Sequence, residues 1–296
     1  MAPMTGGSLI VFFFIHFIPV RIIIFLALVF FHIVGYSQVK IKVVDERNLP
    51  VPFATVAWNT TNGIVATEDG LVTIPKFRDI DDSVLVTSIG YKDKKLYQRD
   101  IKGDVINIVK METSFYQMPE VIAGAKSKIS KIGYSGKRPR CYVVNFMEDR
   151  SMEAGVKIAG YERGAFLEEI QVYIEKASSG RLPFRLKLYQ PQNNYPGISI
   201  LNNNVVIESY RTGAWHKIPL GRFNIQLPDN GVFVGVEWLI THKSKGFLAI
   251  GADDWSNNEN RYERIGNTGF FKLAEQRKPR LNSCIITIKM VTRSAK

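Results

Sequence analysis

The stretch Val39–Val44 reads VKIKVV and indicates the fold class, because apolar and basic side chains alternate along it. A period of two places one set of side chains on a buried face and the other in solvent, as in a β-strand. The following residues, Asp45–Pro50, are typical of a turn. Short apolar runs separated by turns continue as far as Val109 and lack a helical period. We therefore predict a small β-sandwich over residues 38–111.

Several motifs in this region occur in a characteristic order. After Val43-Val44-Asp45, they are LPVPFATV at Leu49–Val56, ATEDG at Ala66–Gly70, where Thr67–Gly70 is predicted to close a hairpin, and DSVLVTSIGY at Asp82–Tyr91. Together they resemble the carboxypeptidase regulatory-like domain. That family is a transthyretin-like, seven-stranded sandwich, and it often precedes the plug of TonB-dependent outer-membrane receptors. The resemblance implies a first domain of this fold without catalytic residues.

The chain after this domain departs from the receptor architecture. Residues Tyr116–Ala123 read YQMPEVIA and are similar to the segment that leads into a receptor plug. The rest of the chain is too short for a transporter barrel of about 22 strands. We therefore do not expect a transporter function.

The N-terminal residues are almost continuously apolar from Leu9 to Val34, with Pro19 and Arg21 as interruptions. A basic residue, an apolar run and a small residue such as Ser37 before the mature start are typical of a signal peptide. We predict a signal peptide over residues 1–37 with an over-extended start, and therefore an exported protein of the periplasm, the outer-membrane surface or the exterior. An uncleaved anchor is the alternative, since the run can span a bilayer. Otherwise, membrane contact is expected through the leader only.

The chain is basic, with a formal charge of +12. Removing the leader, whose only charged residue is Arg21, leaves 38 basic and 27 acidic residues, a formal charge of +11. The tightest basic cluster lies in residues 112–140, a predicted linker, and comprises Lys126, Lys128, Lys131, Lys137, Arg138 and Arg140. A solvated tether is favoured over a binding patch there. Nucleic acid is not an expected partner, because no recognition motif accompanies the charge.

Strand patterns return in residues 141–296. Phe184–Tyr189 reads FRLKLY, Trp215–Leu220 reads WHKIPL and Val232–Trp238 reads VFVGVEW. Eight or nine such strands predict a larger, jelly-roll-type β-sandwich. The succession resembles jelly-roll modules of exported bacterial proteins, which implies an accessory role such as adhesion or glycan contact. Cys141 and Cys284 lie near the two ends of this domain, and a disulfide or two buried free thiols are equally open.

Few residues suit catalysis or metal binding. After the leader the histidines are His216 and His242, and neither lies near a nucleophile-elbow sequence. Two histidines and two distant cysteines do not form a zinc site. We therefore predict no catalytic residues and no cofactor. Adjacent acidic pairs, such as Glu168-Glu169, are interpreted as surface charges, because neighbours on a strand point to opposite faces.

The loop at residues 253–260 reads DDWSNNEN and offers carboxylate oxygens. Its likeliest ligands for calcium are Asp253, Asp254 and Glu259. The loop lacks EF-hand spacing, and a solvated loop is favoured.

Aromatic residues at loops and strand ends are the candidate ligand contacts, with packing as the favoured alternative. They are Tyr189, Tyr195, Trp215, Trp255 and Tyr262. The predicted function is an exported, non-catalytic cell-envelope binding or scaffolding protein that contacts a glycan or a protein. The alternatives are an accessory subunit of an outer-membrane transport complex, or a hydrolase with a carboxylate pair in the second domain. A buried cluster of convergent ionisable groups lining a deep cleft would count against the non-catalytic prediction.

Overall fold

The computed structural model describes residues 38–59, 62–74, 80–81, 83–103, 105–114, 127–145, 151–178, 182–241, 246–254, 261–265 and 284–295. The predicted signal peptide, His242, Trp255 and Glu259 lie outside these residues. Every regular element described is a β-strand, apart from two short 3-10 turns at Gln98–Asp100 and Gly221–Phe223. The prediction of an all-β chain is confirmed.

The first sandwich consists of seven strands in two sheets. They are β1 (Val39–Val44), β2 (Thr55–Ala57), β3 (Gly63–Val65), β4 (Leu71–Ile74), β5 (Ser83–Thr87), β6 (Lys94–Tyr97) and β7 (Ile106–Lys110). One sheet has the order β4-β1-β7 and the other β3-β2-β5-β6. Alternate side chains of β1, Val39, Ile41 and Val43, enter the core between the sheets, as the period-two pattern predicts.

The turn at Thr67–Gly70 differs from the predicted hairpin. It connects β3 in one sheet to β4 in the other, so it is a crossover between sheets. Gly70 has a φ of +73°, and a Cβ there would lie 2.5 Å from the Val43 carbonyl oxygen. Only glycine fits this position without strain.

The second sandwich is larger. Its strands are β8 (Ser127–Gly133), β9 (Cys141–Val144), β10 (Met152–Ile158), β11 (Phe166–Ala177), β12 (Phe184–Gln192), β13 (Tyr195–Ser199), β14 (Val206–Ile207), β15 (Ala214–Pro219), β16 (Val232–Trp238), β17 (Leu248–Asp254), β18 (Arg261–Ile265), β19 (Cys284–Ile286) and β20 (Ile288–Ala295). A six-stranded sheet has the order β13-β12-β16-β10-β18, with β14 also paired to β12. A seven-stranded sheet has the order β19-β17-β11-β20-β8, with β9 on β17 and β15 on β11. A small sandwich followed by a larger one is therefore confirmed, although the strands exceed the predicted eight or nine.

Part of the predicted linker belongs to the second sandwich. β8 pairs with β20 along its whole length, from Ser127 opposite Ala295 to Gly133 opposite Lys289. The residues that follow lie against the same sheet, because Tyr134 Oη donates to Asp253 Oδ2 at 2.8 Å and the Trp215 indole N–H donates to the Lys137 carbonyl at 2.8 Å. The prediction of a free basic tether is corrected for residues 127–140.

Cys141 and Cys284 form a disulfide. The bond joins the first residue of β9 to the first residue of β19, across 143 residues of sequence. The alternative of two free thiols is therefore not the observed state.

Candidate functional site: a charged cleft between the two sandwiches

One lateral row of the six-stranded sheet carries four charged side chains. Arg185 on β12 is opposite Glu237 on β16, Glu237 is opposite Glu153 on β10, and Glu153 is opposite Arg264 on β18. Residues opposite each other on neighbouring strands share a face of the sheet, so these side chains converge. Arg185 is 0% exposed and Glu153 and Glu237 are each 2% exposed. The row of charges is therefore buried, although it lies on the face that the alternation in the sequence predicts to be in solvent.

Glu237 is the centre of the first half of this network. Its Oε2 accepts hydrogen bonds from Arg185 Nε at 2.9 Å and Nη2 at 2.7 Å, and it lies 3.0 Å from Lys187 Nζ. Its Oε1 accepts a hydrogen bond from Thr55 Oγ1 at 2.6 Å. Burial alone would raise the pKa of the Glu237 carboxyl, but the positive charges of Arg185, Lys187 and Arg264 hold that pKa well below its usual range. Glu237 is therefore an anion at neutral pH.

Arg185 connects the two sandwiches. Its Nη1 donates to the Phe53 carbonyl at 2.8 Å and its Nη2 donates to Thr55 Oγ1 at 2.9 Å, both in the first sandwich. Phe53 has a φ of +56°, a left-handed conformation that is uncommon for a bulky residue. Nearby, the Val65 N–H donates to the Ile240 carbonyl at 3.0 Å. The first sandwich thus covers the charged row and supplies part of its hydrogen bonding.

Glu153 is the centre of the second half. Its Oε1 accepts a hydrogen bond from Tyr262 Oη at 3.1 Å, and its Oε2 accepts from Tyr189 Oη at 3.1 Å and from Arg264 Nη2 at 2.6 Å. Burial raises the pKa values of the Tyr189 and Tyr262 phenols well above the usual value, and the Glu153 charge adds to this. Both phenols therefore remain protonated donors to the carboxylate.

Two glycines make room for Tyr262. A Cβ at Gly155 would lie 2.3 Å from a carbon of the Tyr262 ring, and a Cβ at Gly235 would lie 2.1 Å from its hydroxyl oxygen. Gly155 and Gly235 are opposite each other on β10 and β16. The ring therefore lies across the sheet, where any side chain at either position would collide with it.

A cleft of about 590 Å³ opens between the two sandwiches beside this network. Its lining includes Ser88, Tyr91 and Asp93 from the first sandwich and Lys187, Tyr189 and Arg264 from the second. The Arg264 side chain is 25% exposed, whereas that of Lys187 is 7% exposed. Burial and the neighbouring Arg185 charge lower the pKa of Lys187, while the two glutamates oppose this change. Arg264 is thus the cation most accessible from the cleft.

The predicted ligand-contact aromatics occupy different environments. Tyr189 is 6% exposed and Tyr262 is 1% exposed, so neither is an open stacking surface, although Tyr189 lines the cleft. Trp215 is half-buried, and the Lys289 ammonium lies 4.1 Å from the centroid of its ring. Tyr195 is half-buried at the start of β13. Trp255 lies outside the described residues. Of the other four aromatics, the structure brings Tyr189 and Tyr262 together.

Of the three predicted calcium ligands, Asp253 is the one whose side chain the structure describes. Asp253 is 5% exposed, and its two oxygens accept hydrogen bonds from Tyr134 Oη and from Arg140 Nε at 2.7 Å. Among the described residues, no group of three or more His, Cys, Asp or Glu side chains could hold a metal ion. The same residues contain no helix long and apolar enough to cross a membrane. The calcium hypothesis stays a prediction, since Glu259 lies outside them.

The charged row was not among the sites predicted from the sequence. The alternations FRLKLY and VFVGVEW place Arg185, Lys187 and Glu237 on the polar side of their strands. The run VFVGVEW contains one charged residue and one glycine and is otherwise apolar. This pattern could have indicated that the polar face of the strand is covered by another part of the protein. The row and its cleft form the kind of buried, convergent cluster that counts against a non-catalytic function, so the protonation and hydrogen bonding of its carboxylates distinguish binding from catalysis.

Comparisons with known proteins found distant structural likenesses. No protein-family model and no curated protein matches the sequence. The clostridial cysteine protease Cwp84 after propeptide cleavage is similar over 88% of this chain and 66% of that chain, with 12% identity and a TM-score of 0.42. The cysteine protease and lectin-like domains of Cwp84, a surface layer associated protein of Clostridium difficile, are similar over 89% of this chain and 60% of that chain, with 12% identity and a TM-score of 0.39.

A structure of infectious bursal disease virus, Gx strain, is also similar, over 87% of this chain and 59% of that chain, with 9% identity and a TM-score of 0.23. This chain thus spans 66% or less of the length of these three chains. These likenesses are too distant to assign a family. The resemblance of the first domain to the carboxypeptidase regulatory-like family stays a prediction.

Proposed function

We propose that this chain is an exported, non-catalytic cell-envelope protein that binds a glycan or a protein partner in the cleft between its two sandwiches. The observation that carries the proposal is the cleft of about 590 Å³ lined by Asp93, Lys187, Tyr189 and Arg264. Ligand sites are concave and carry a few convergent polar groups, and they occur preferentially where two domains meet. The cleft has all three properties.

The principal rival is a hydrolase that uses the carboxylate pair Glu153 and Glu237. These residues are opposite each other on neighbouring strands, so a pair does exist in the second sandwich. Glycoside hydrolysis requires one carboxyl group whose raised pKa keeps it protonated as a general acid. The pKa of Glu237 is lowered instead, so Glu237 does not supply that acid.

Hydrogen bonding also disfavours this rival. The Glu153 oxygens accept from Tyr189, Tyr262 and Arg264, and the Glu237 oxygens accept from Thr55 and Arg185. Carboxylates held in this way by donors from several strands suit a rigid, buried support for the cleft residues Lys187, Tyr189 and Arg264 better than proton transfer.

Export is supported by the Cys141–Cys284 disulfide together with the apolar leader. Disulfides persist in oxidising compartments and are rare in the cytosol. An accessory role in an outer-membrane transport complex is a variant of the same proposal, in which the bound partner is a membrane protein.

The test is binding by the chain from Gln38 onward, probed with a glycan array and with solubilised envelope proteins. Two substitutions alter the exposed lining of the cleft, Asp93→Lys and Ile198→Lys. Matched controls, Asp100→Lys and Ile108→Lys, change exposed residues of the first sandwich that do not line it.

We expect the screen to identify a glycan or a protein that binds the cleft. Its affinity should fall at least about tenfold in both cleft variants and stay unchanged in both controls. Binding that survives in the cleft variants would refute the cleft as the site. Turnover of an envelope glycan or peptide that Glu153→Gln abolishes would establish the hydrolase instead.

A further inference from the structure

We infer that the ligand of the cleft is an uncharged oligosaccharide, whose hydroxyl groups donate to Asp93 and exchange hydrogen bonds with the hydroxyl side chains of the first sandwich. This inference rests on the proposed function and specifies the ligand of the same cleft. It is supported by the balance of charges around the cleft, by polar side chains without partners on one wall, and by the volume of the cleft.

The charges around the cleft cancel. Among the described residues, the buried network and the cleft lining together contain three cations and three carboxylates, which are Arg185, Lys187, Arg264, Glu153, Glu237 and Asp93. Both cations of the lining are already paired, since Lys187 Nζ lies 3.0 Å from Glu237 Oε2 and Arg264 Nη2 lies 2.6 Å from Glu153 Oε2. No excess charge therefore attracts an ion, and an uncharged ligand is expected.

The wall that the first sandwich contributes carries polar side chains without partners. Among the described residues, the Asp93 carboxylate accepts no hydrogen bond and forms no ion pair, although it interacts with the charges of Arg264 and Lys187 across the cleft. The side-chain hydroxyl groups of this wall also have no partner within that part of the chain. They belong to Thr87, Ser88, Tyr91 and Ser114. Four hydroxyls and one carboxylate are therefore available to a ligand.

These groups match the chemistry of a sugar. A hydroxyl group both donates and accepts hydrogen bonds, whereas a carboxylate only accepts them. A sugar hydroxyl can therefore donate to Asp93, and a hydrogen bond to a charged acceptor is stronger than one between neutral groups. On the opposite wall Ile198 is 59% exposed and offers an apolar contact for the C–H face of a sugar ring.

The dimensions of the cleft favour a small ligand over a protein. Its volume of about 590 Å³ falls within the range of small-molecule sites, about 300–1,000 Å³. A folded partner would need a contact surface of about 800 Å² on each side. An extended peptide binds mainly through main-chain hydrogen bonds at a sheet edge, whereas the groups without partners on this wall are side chains. A short oligosaccharide fits both the volume and the groups.

The experiment is an array of neutral, acidic and basic glycans, followed by isothermal titration of the chain from Gln38 onward with each glycan that binds. Each neutral glycan is compared with a derivative of the same length in which the C6 hydroxyls are oxidised to carboxylates. We expect the neutral form to bind more tightly than the acid. Its dissociation constant should change less than about twofold between low and high salt, because an uncharged ligand forms no ion pair that salt could screen.

The decisive variant is Asp93→Asn, because the sign of its effect depends on the charge of the ligand. Removing the carboxylate should weaken the binding of an uncharged oligosaccharide at least about fivefold, since its hydroxyls lose a charged acceptor. The same change should strengthen the binding of an acidic ligand, since a repelling charge disappears. Asp100→Asn, at an exposed site outside the cleft, should leave the affinity unchanged.

A second pair of variants tests the hydroxyl groups. Ser114→Ala removes an exposed hydroxyl of the cleft and should weaken the neutral glycan by about threefold. Ser135→Ala removes an exposed hydroxyl outside the cleft and should have no effect. Asp93 and Ser114 are both exposed, so these substitutions should leave the fold intact, and thermal unfolding of each variant checks this.

Tighter binding of the acidic derivative, or an unchanged or increased affinity in Asp93→Asn, would overturn the inference. An array on which no neutral glycan depends on the cleft would overturn it as well. The proposed function survives these results if an acidic glycan or a protein changes its affinity in the cleft variants. Binding that is unaffected by Asp93→Asn, Asp93→Lys and Ile198→Lys alike would instead refute the cleft itself.

Discussion

Arg185 and Glu237 form an ion pair at 2.7 Å that the first sandwich completes, although both residues belong to the second. Thr55 takes part in both halves of this arrangement, because its hydroxyl donates to Glu237 and accepts from Arg185. A buried ion pair is stable only when its remaining donors and acceptors are satisfied. The two sandwiches are therefore coupled through one network, and Lys187, which pairs with Glu237, lines the cleft.

Substitution of Arg185 should strongly destabilise the protein. Arg185→Met leaves the buried Glu237 with fewer partners, and losing one member of a buried pair costs about 3–5 kcal/mol. Urea denaturation of the chain from Gln38 onward measures the change in the free energy of unfolding. Arg163→Met, which removes an ion pair with Asp229 whose arginine is 90% exposed, should cost less than about 1 kcal/mol. Equal effects of the two substitutions would mean that the network does not couple the sandwiches.

The strand at Phe184–Tyr189 illustrates how much of this arrangement the sequence can predict. Its alternation predicted the strand and the apolar face, and Phe184, Leu186 and Leu188 do lie in the core. The polar face carries Arg185 and Lys187, which are also buried because the other sandwich covers them. Alternation distinguishes the two faces of a strand, but it does not indicate whether a second domain lies on the polar one.

The edge strand β8 illustrates a different limit. Ser127–Gly133 reads SKISKIG, whose two lysines and exposed Ile129 give no period-two pattern. The strand pairs with β20 through its backbone, and backbone pairing leaves little trace in the side chains of an edge strand. The same segment therefore resembles a basic linker in sequence.

Gly155 should tolerate no side chain. In Gly155→Ala the new methyl group meets the Tyr262 ring, and overpacking of this kind costs about 1–3 kcal/mol. The cost should shrink in a Tyr262→Ala background, because the colliding ring is then absent. Thermal or urea unfolding of the two single variants and the double variant gives this coupling directly. Strictly additive effects would place the Tyr262 ring elsewhere.

The stability of the fold should depend on pH through Glu237. Its pKa is lower in the folded protein than the ordinary value of 4.5, so the folded state favours the anion. The stabilisation is fully present above pH 4.5 and is lost as the pH falls through the folded-state pKa. Urea unfolding between neutral and acidic pH should show a loss of stability that is smaller in Glu237→Gln. Parallel profiles of the two proteins would contradict a lowered pKa at this site.

The Cys141–Cys284 disulfide should make a large contribution to the free energy of unfolding of the second sandwich, because it joins residues 143 positions apart. Closing so long a loop restricts the unfolded chain, and removal of a native disulfide typically costs about 2–5 kcal/mol. Urea unfolding with and without dithiothreitol measures this loss in the natural sequence. The double variant Cys141→Ser, Cys284→Ser should be less stable from the start and insensitive to the reductant, which separates the bond from other effects of the reagent. Equal stability of the oxidised protein and the double variant would show that the sandwich does not depend on the bond. In that case the pairing of β9 and β19 with β17 would be sufficient to keep these two strands in place.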